Sequence, residues 1–203
     1  MHRTGSFVGR SVKVLASVAC LAAVAIASGA AAANAATTSP DTPHLLRTTT
    51  AGMHVVGFDK KVAAAHGYEI RRAANGEQYS VKRRARGAAP SATASNVLGG
   101  KCGFSYVYEY GIGNRAVELY TGYSVIRDVI RWRWQVRLDD RGGSSYQNYE
   151  GWINNGIWQD DRVVGRLTRG GARAIVIPQN SWTLLDTGAI CTSRGPSART
   201  TIS

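Results

Sequence analysis

Histidine is missing from the last 107 residues: the chain's four, His2, His44, His54 and His66, all precede residue 97. A Ser-His-Asp or Cys-His arrangement in residues 97–203 would have to borrow its base from the N-terminal part of the chain, and so would a histidine-based metal site. HExxH, CxxC and the glycine-rich phosphate loop are absent as well. Cysteine is scarce at three residues, and after residue 27 no run is long and apolar enough to span a bilayer. These absences leave no catalytic set and no cofactor to expect. They turn attention to binding.

Residues 1–35 have the three zones of a secretory signal peptide. Arg3, Arg10 and Lys13 form a basic start, Val14 to Ala27 is uncharged, and Ala33-Asn34-Ala35 supplies an A-x-A cleavage pattern between Ala35 and Ala36. A membrane anchor fits less well, because the stretch is rich in Ala and Ser and no basic stop-transfer cluster follows. Cys20 sits midway through the apolar zone, and Ser17-Val18-Ala19 before it lacks the leucine of a lipoprotein site. The expected product is secreted and extracellular.

Cleavage would leave 168 residues, two cysteines and a formal charge of +9 out of the chain's +12. An even cysteine count in an oxidising compartment predicts a disulfide between Cys102 and Cys191. Zinc would need two further ligands, and no histidine lies near either sulfur in sequence. The positive charge favours anionic partners such as wall polymers or lipid headgroups; nucleic acid is not the expected one.

Residues 36–57 carry Thr, Ser and Pro with little periodicity and read as a flexible segment. Residues 58–82 read as a small appendage. Asp59 caps a short helix that Gly67 ends, and an Asn75-Gly76 turn then joins two strands. A two-residue turn there pairs Ile70 with Val81, Arg72 with Tyr79 and Glu69 with Lys82. Residues 83–96 read as a linker. Its basic residues Arg83, Arg84 and Arg86 suit either a solvated spacer or a processing site that would make 36–86 a propeptide.

Residues 97–203 alternate β-rich runs with turns, giving strands at 103–110, 116–126, 129–138, 146–153, 157–167, 172–178 and 182–192. Seven short strands predict a mainly β fold, an antiparallel β-sandwich of immunoglobulin-like type or a small barrel. The clearest strand is Ile130 to Leu138. Trp132, Trp134, Val136 and Leu138 fall on one face, Arg131, Arg133, Gln135 and Arg137 on the other. An Asn155-Gly156 hairpin would set Ile153 against Trp158 and Trp152 against Gln159, so the two tryptophans would point to opposite faces.

Two groups are candidate binding residues. Arg131, Arg133 and Arg137 make a row of charge suited to a repeating anion. Tyr146, Tyr149, Trp152 and Trp158 are candidate exposed rings for sugars or a protein partner. They belong to a wider aromatic set that includes Tyr106, Tyr108, Tyr110 and Tyr120. Asp139-Asp140 and Asp160-Asp161 are the paired carboxylates, and both sit at turns or strand ends, where Asp is common.

The pattern resembles secreted proteins of high-GC Gram-positive bacteria that set a helix and hairpin ahead of a two-cysteine domain. The matching stretches are Phe58 to Val81, and Cys102 with Ile190-Cys191-Thr192. That resemblance implies no activity. The residues themselves predict a secreted, non-enzymatic binder of anionic or carbohydrate polymers of the cell envelope. The alternatives are a protein-binding factor, such as a protease inhibitor or antagonist, and a small carboxylate-dependent hydrolase.

Overall fold

A computed structural model describes residues 45–47, 49–83, 97–98 and 101–203. The cleavage residues Ala35 and Ala36, the leader's Cys20, and Arg84 and Arg86 of the basic run lie outside the described residues.

The described chain runs through β1 (Leu45–Arg47), β2 (Thr49–Phe58), α1 (Lys60–Ala65), β3 (Tyr68–Arg72), β4 (Gln78–Lys82), β5 (Val97–Leu98), β6 (Lys101–Gly113) and β7 (Ala116–Val125). It continues with β8 (Val129–Asp140), β9 (Gly143–Asn154), β10 (Ile157–Val164), β11 (Gly170–Val176), β12 (Trp182–Leu185), β13 (Ala189–Ser193) and β14 (Ser197–Ile202). The fold is mainly β and antiparallel, as expected. The strands do not form a seven-stranded sandwich. Eleven of them make one sheet in the order β1-β14-β11-β8-β12-β13-β2-β6-β7-β10, with β9 also paired to β8, and β3-β4-β5 make a second. Only Thr48 separates β1 from β2 in sequence. The path from β1 through β14, β11, β8, β12 and β13 to β2 therefore returns to the same stretch of chain.

Three expectations about strands are corrected. First, residues 49–57, read as part of the flexible segment 36–57, are strand together with Phe58. They form β2, paired on both edges with β13 and β6, and Met53 is 1% exposed. Its side chains, Thr-Thr-Ala-Gly-Met-His-Val-Val-Gly-Phe, lack period two, so backbone pairing on both edges makes this strand rather than an apolar stripe. The expected boundary between 36–57 and 97–203 thus runs through a continuous sheet. Second, 182–192 is not one strand. Gly188 (φ +81°) turns the chain between β12 and β13. Third, 197–202 is a strand whose inward residues, Ala198, Thr200 and Ile202, are mostly small.

The helix and hairpin at 58–82 form as read, with a change of register. Asp59 Oδ1 accepts from the amides of Lys61 (2.8 Å) and Val62 (3.1 Å), which caps α1, and Gly67 ends it at φ +79°. The hairpin loop has three residues rather than two. Ala73 N donates to Glu77 O (2.8 Å), and Gly76 takes a left-handed φ of +85°, the type I turn with a bulge. Every pair slips by one, giving Glu69–Val81, Ile70–Ser80 and Arg71–Tyr79. Glu69 then pairs with Arg71 on its own strand instead of Lys82. The segment is anchored on the large sheet, since Asp59 N donates to Gly188 O (2.7 Å).

The Asn155-Gly156 turn is a corner between ladders. β9 pairs with β8 and β10 pairs with β7, so Trp152 opposes Arg131 and Trp158 opposes Tyr123. Asn154 Oδ1 accepts from Gly156 N (2.9 Å), and Gly156 O accepts from Val125 N (2.8 Å). The tryptophans still point to opposite faces, one 69% exposed and the other packed on the core.

The core is aromatic. Strand β8 alternates as expected, with Trp132, Trp134, Val136 and Leu138 buried. Trp134 Nε1 donates to Thr121 Oγ1 (2.9 Å), which satisfies the one polar atom of a fully buried ring. Tyr123 is also fully buried, its Oη accepting from Asn154 Nδ2 (2.8 Å), and Trp158 lies 4.3 Å from the Trp132 ring centroid. The predicted Cys102–Cys191 disulfide forms, with Cα atoms 6.2 Å apart, joining β6 and β13, the two neighbours of β2.

Candidate functional site

Strands β6, β7 and β10 present an aromatic face. In β6 the odd residues Ser105, Val107 and Glu109 are buried, so Phe104, Tyr106, Tyr108 and Tyr110 share the outer face. The ladders extend this face across three strands. Tyr106 stands beside Gly122 and Gln159, Tyr108 beside Tyr120 and Asp161, and Tyr110 beside Glu118 and Val163. The result is an open cleft of about 600 Å³ lined by five aromatic rings with Glu118, Gln159, Asp160 and Asp161.

Close packing fixes the rings. A Cβ at Gly122 would come within 2.6 Å of Tyr106 Oη and 2.3 Å of Trp158 O, so only glycine lets this ring lie on the strand. Centroids of Phe104 and Tyr106 are 6.5 Å apart, those of Tyr106 and Tyr108 5.5 Å, and Tyr110 meets Tyr120 edge to face at 5.8 Å. Tyr106 Oη donates to Gln159 Oε1 at 3.4 Å. Burial raises the Tyr106 phenol pKa above its usual value, and the neighbouring Glu118 raises that of Tyr120. Both phenols stay neutral and able to donate.

The arginine row stands on another face. Arg131 and Arg133 are exposed and Arg137 half-buried, on the same side of β8–β9 as Tyr146 and Trp152. Arg131 lies over the Trp152 ring at 4.8 Å, and Arg137 pairs with Asp139 at 3.0 Å. The ladders add Arg173 and Arg199 to this side. Tyr149 and Trp158 do not join it. They sit 5.2 Å apart against the core, and Arg162 covers Tyr149 at 4.7 Å. The four predicted rings are therefore two pairs on different faces.

The Asp139-Asp140 pair has structural work. Asp140 accepts from the amides of Gly142 (2.6 Å) and Thr168 (2.7 Å), while Asp139 accepts from Ser144 Oγ (2.6 Å). Asp160 and Asp161 alternate across β10, and only Asp161 stands on the aromatic face. Among the described residues, no group of three His, Cys, Asp or Glu side chains is placed to hold a metal ion.

The residues that sequence reading missed as a site are Phe104, Glu118, Gln159 and Asp161 with the β6 tyrosines. The signal was the alternation Phe-Ser-Tyr-Val-Tyr-Glu-Tyr over 104–110. No family model, curated protein or solved structure matches the chain.

Proposed function

We propose that this chain is an exported, non-enzymatic binding protein that holds a carbohydrate polymer of the cell envelope in the β6–β7–β10 cleft. The observation that carries the reading is the row of rings from Phe104 to Tyr110 in an open cleft, with hydrogen-bonding side chains at its side. Apolar sugar faces stack on such rings while hydroxyl groups meet carboxylates and amides. An open cleft suits a chain that runs through it. The A-x-A leader and the paired cysteines support export. No helix among the described residues is long and apolar enough to cross a membrane.

Removing one central ring tests the reading. Tyr108→Ala is expected to weaken binding to soluble glycan oligomers by roughly 2- to 10-fold, from about 0.5–1.5 kcal/mol per stacked ring. Titration calorimetry on the purified protein measures it. Unchanged affinity in a folded variant would overturn the reading. Release of shortened sugars during the titration would turn it toward a hydrolase, and a tightly held protein in place of glycan toward a protein-binding factor.

The arginine face favours a second ligand, an anionic wall polymer. Its support is the Arg131–Trp152 stack with Arg133, Arg173 and Arg199 on the same side. Raising salt from 0.1 M to 1 M shortens the screening length from about 10 Å to about 3 Å, so polyphosphate binding should collapse over that range. Arg131→Ala/Arg133→Ala should remove most of the salt-sensitive part. Binding that ignores salt would rule this face out.

A further inference from the structure

We infer that the aromatic cleft selects a glycan carrying free, protonated amino groups over the N-acetylated glycan of the same backbone. This rests on the reading of the cleft as a carbohydrate site and goes on to name the class of sugar.

The chain is strongly basic, with 25 Lys and Arg against 13 Asp and Glu. The cleft reverses that balance. Two of the thirteen acids, Glu118 and Asp161, stand on its face, Asp160 lies at its margin turned to Arg162, and no Lys or Arg lines it. Glu118 and Asp161 make no ion pair among the described residues, whose pairs are Arg71–Glu69, Arg137–Asp139 and Arg162–Asp160. Their charge is therefore left for a ligand. It cannot come from a polyanion, which this cleft repels.

The register places these two acids usefully. Asp161 stands opposite Tyr120, and Glu118 is two residues further along β7 from Tyr120. They are diagonal neighbours, about 7–8 Å apart at the backbone. An ammonium held between them donates to both carboxylates through charge-assisted hydrogen bonds. The same cation lies among Tyr108, Tyr110 and Tyr120, whose ring faces attract it. The Tyr120 phenol, whose pKa the neighbouring Glu118 raises, adds no charge of its own. An N-acetylated sugar stacks on the same rings but brings no cation to the acids. Its preference must then be weaker.

Three oligomers of equal length separate the outcomes when titrated into the whole purified protein at pH 6: β-1,4-linked glucosamine, N-acetylglucosamine and glucose. Glucosamine oligomer is expected to bind at least tenfold more tightly than the other two. Glu118→Gln/Asp161→Asn, which keeps size and shape, should close that gap, with near-ultraviolet circular dichroism confirming the fold. Raising the pH until the amines are neutral should close it in the unaltered protein. Equal affinity for glucosamine and N-acetylglucosamine oligomers overturns the amine preference but leaves the carbohydrate reading standing. No binding of any of the three overturns both. Displacement of glucosamine oligomer by an equal concentration of lysine-rich peptide would overturn the preference for sugar and assign the acids to a basic peptide.

Discussion

Replacing both disulfide cysteines, Cys102→Ala/Cys191→Ala, is expected to lower the unfolding free energy by about 4 kcal/mol, the chain-entropy cost of releasing so long a loop. The two sulfurs join residues 89 apart in sequence, and both cysteines are completely buried. The link spans β2, because β6 and β13 are its partners on either side. Without it, the unfolded chain gains the freedom of that loop, while the folded sheet keeps its ladders. At roughly 2–4 °C per kcal/mol for a chain of this size, the melting temperature should fall by about 10 °C. Urea unfolding of both proteins at one pH measures the difference. A double variant as stable as the parent would show that the sheet's own pairing dominates and that the loop is already restricted when unfolded.

What could be read from the sequence follows which interactions are local. The α1 cap rests on three neighbouring residues, and the side-chain alternation of β8 rests on one strand. Both are visible in a string of letters. The disulfide was legible because only two cysteines remain beyond the leader. Strand β2 was not, because its order comes from β13 and β6, partners 131 and 47 residues or more away in the ladders. The hairpin at Asn75-Gly76 shows how narrow the margin is. One extra loop residue, Ala74, shifted the register and changed Glu69's partner. The aromatic sites divide the same way. Tyr146 and Tyr149 are three apart, so in a period-two strand they cannot share a face, and parity alone separates them. For β6, parity grouped Phe104 with three tyrosines, but which side met water depended on what buried Glu109. Glu118 and Asp161 reach the cleft only through ladders that no local pattern encodes.

Glu109 carries the other large expected effect, and its direction runs against the usual one for a carboxylate. Its side chain is fully buried in β6, with Oε2 accepting from Ala174 N (3.0 Å) and Oε1 without a partner. Burial, with a smaller contribution from Asp139, raises its pKa from 4.5 to about 7, against the opposing pull of the Ala174 amide. The folded state thus holds this proton more tightly than the unfolded state does. Stability contributed by the protonated form is complete below pH 4.5, falls as pH rises, and is lost once pH passes about 7. Over that window the cost is ~3 kcal/mol. Glu109→Gln cannot ionise and keeps an oxygen for the Ala174 amide. It should therefore be close to the parent near pH 4.5 and more stable by up to ~3 kcal/mol near pH 8. Urea midpoints of both proteins across pH 4.5–8.5 measure the gap. Groups common to both proteins cancel in the difference, so a gap widening between pH 4.5 and about 7 belongs to Glu109. Parallel curves would mean that the carboxyl ionises as readily inside the sheet as in water, and that the interior around Oε1 admits solvent.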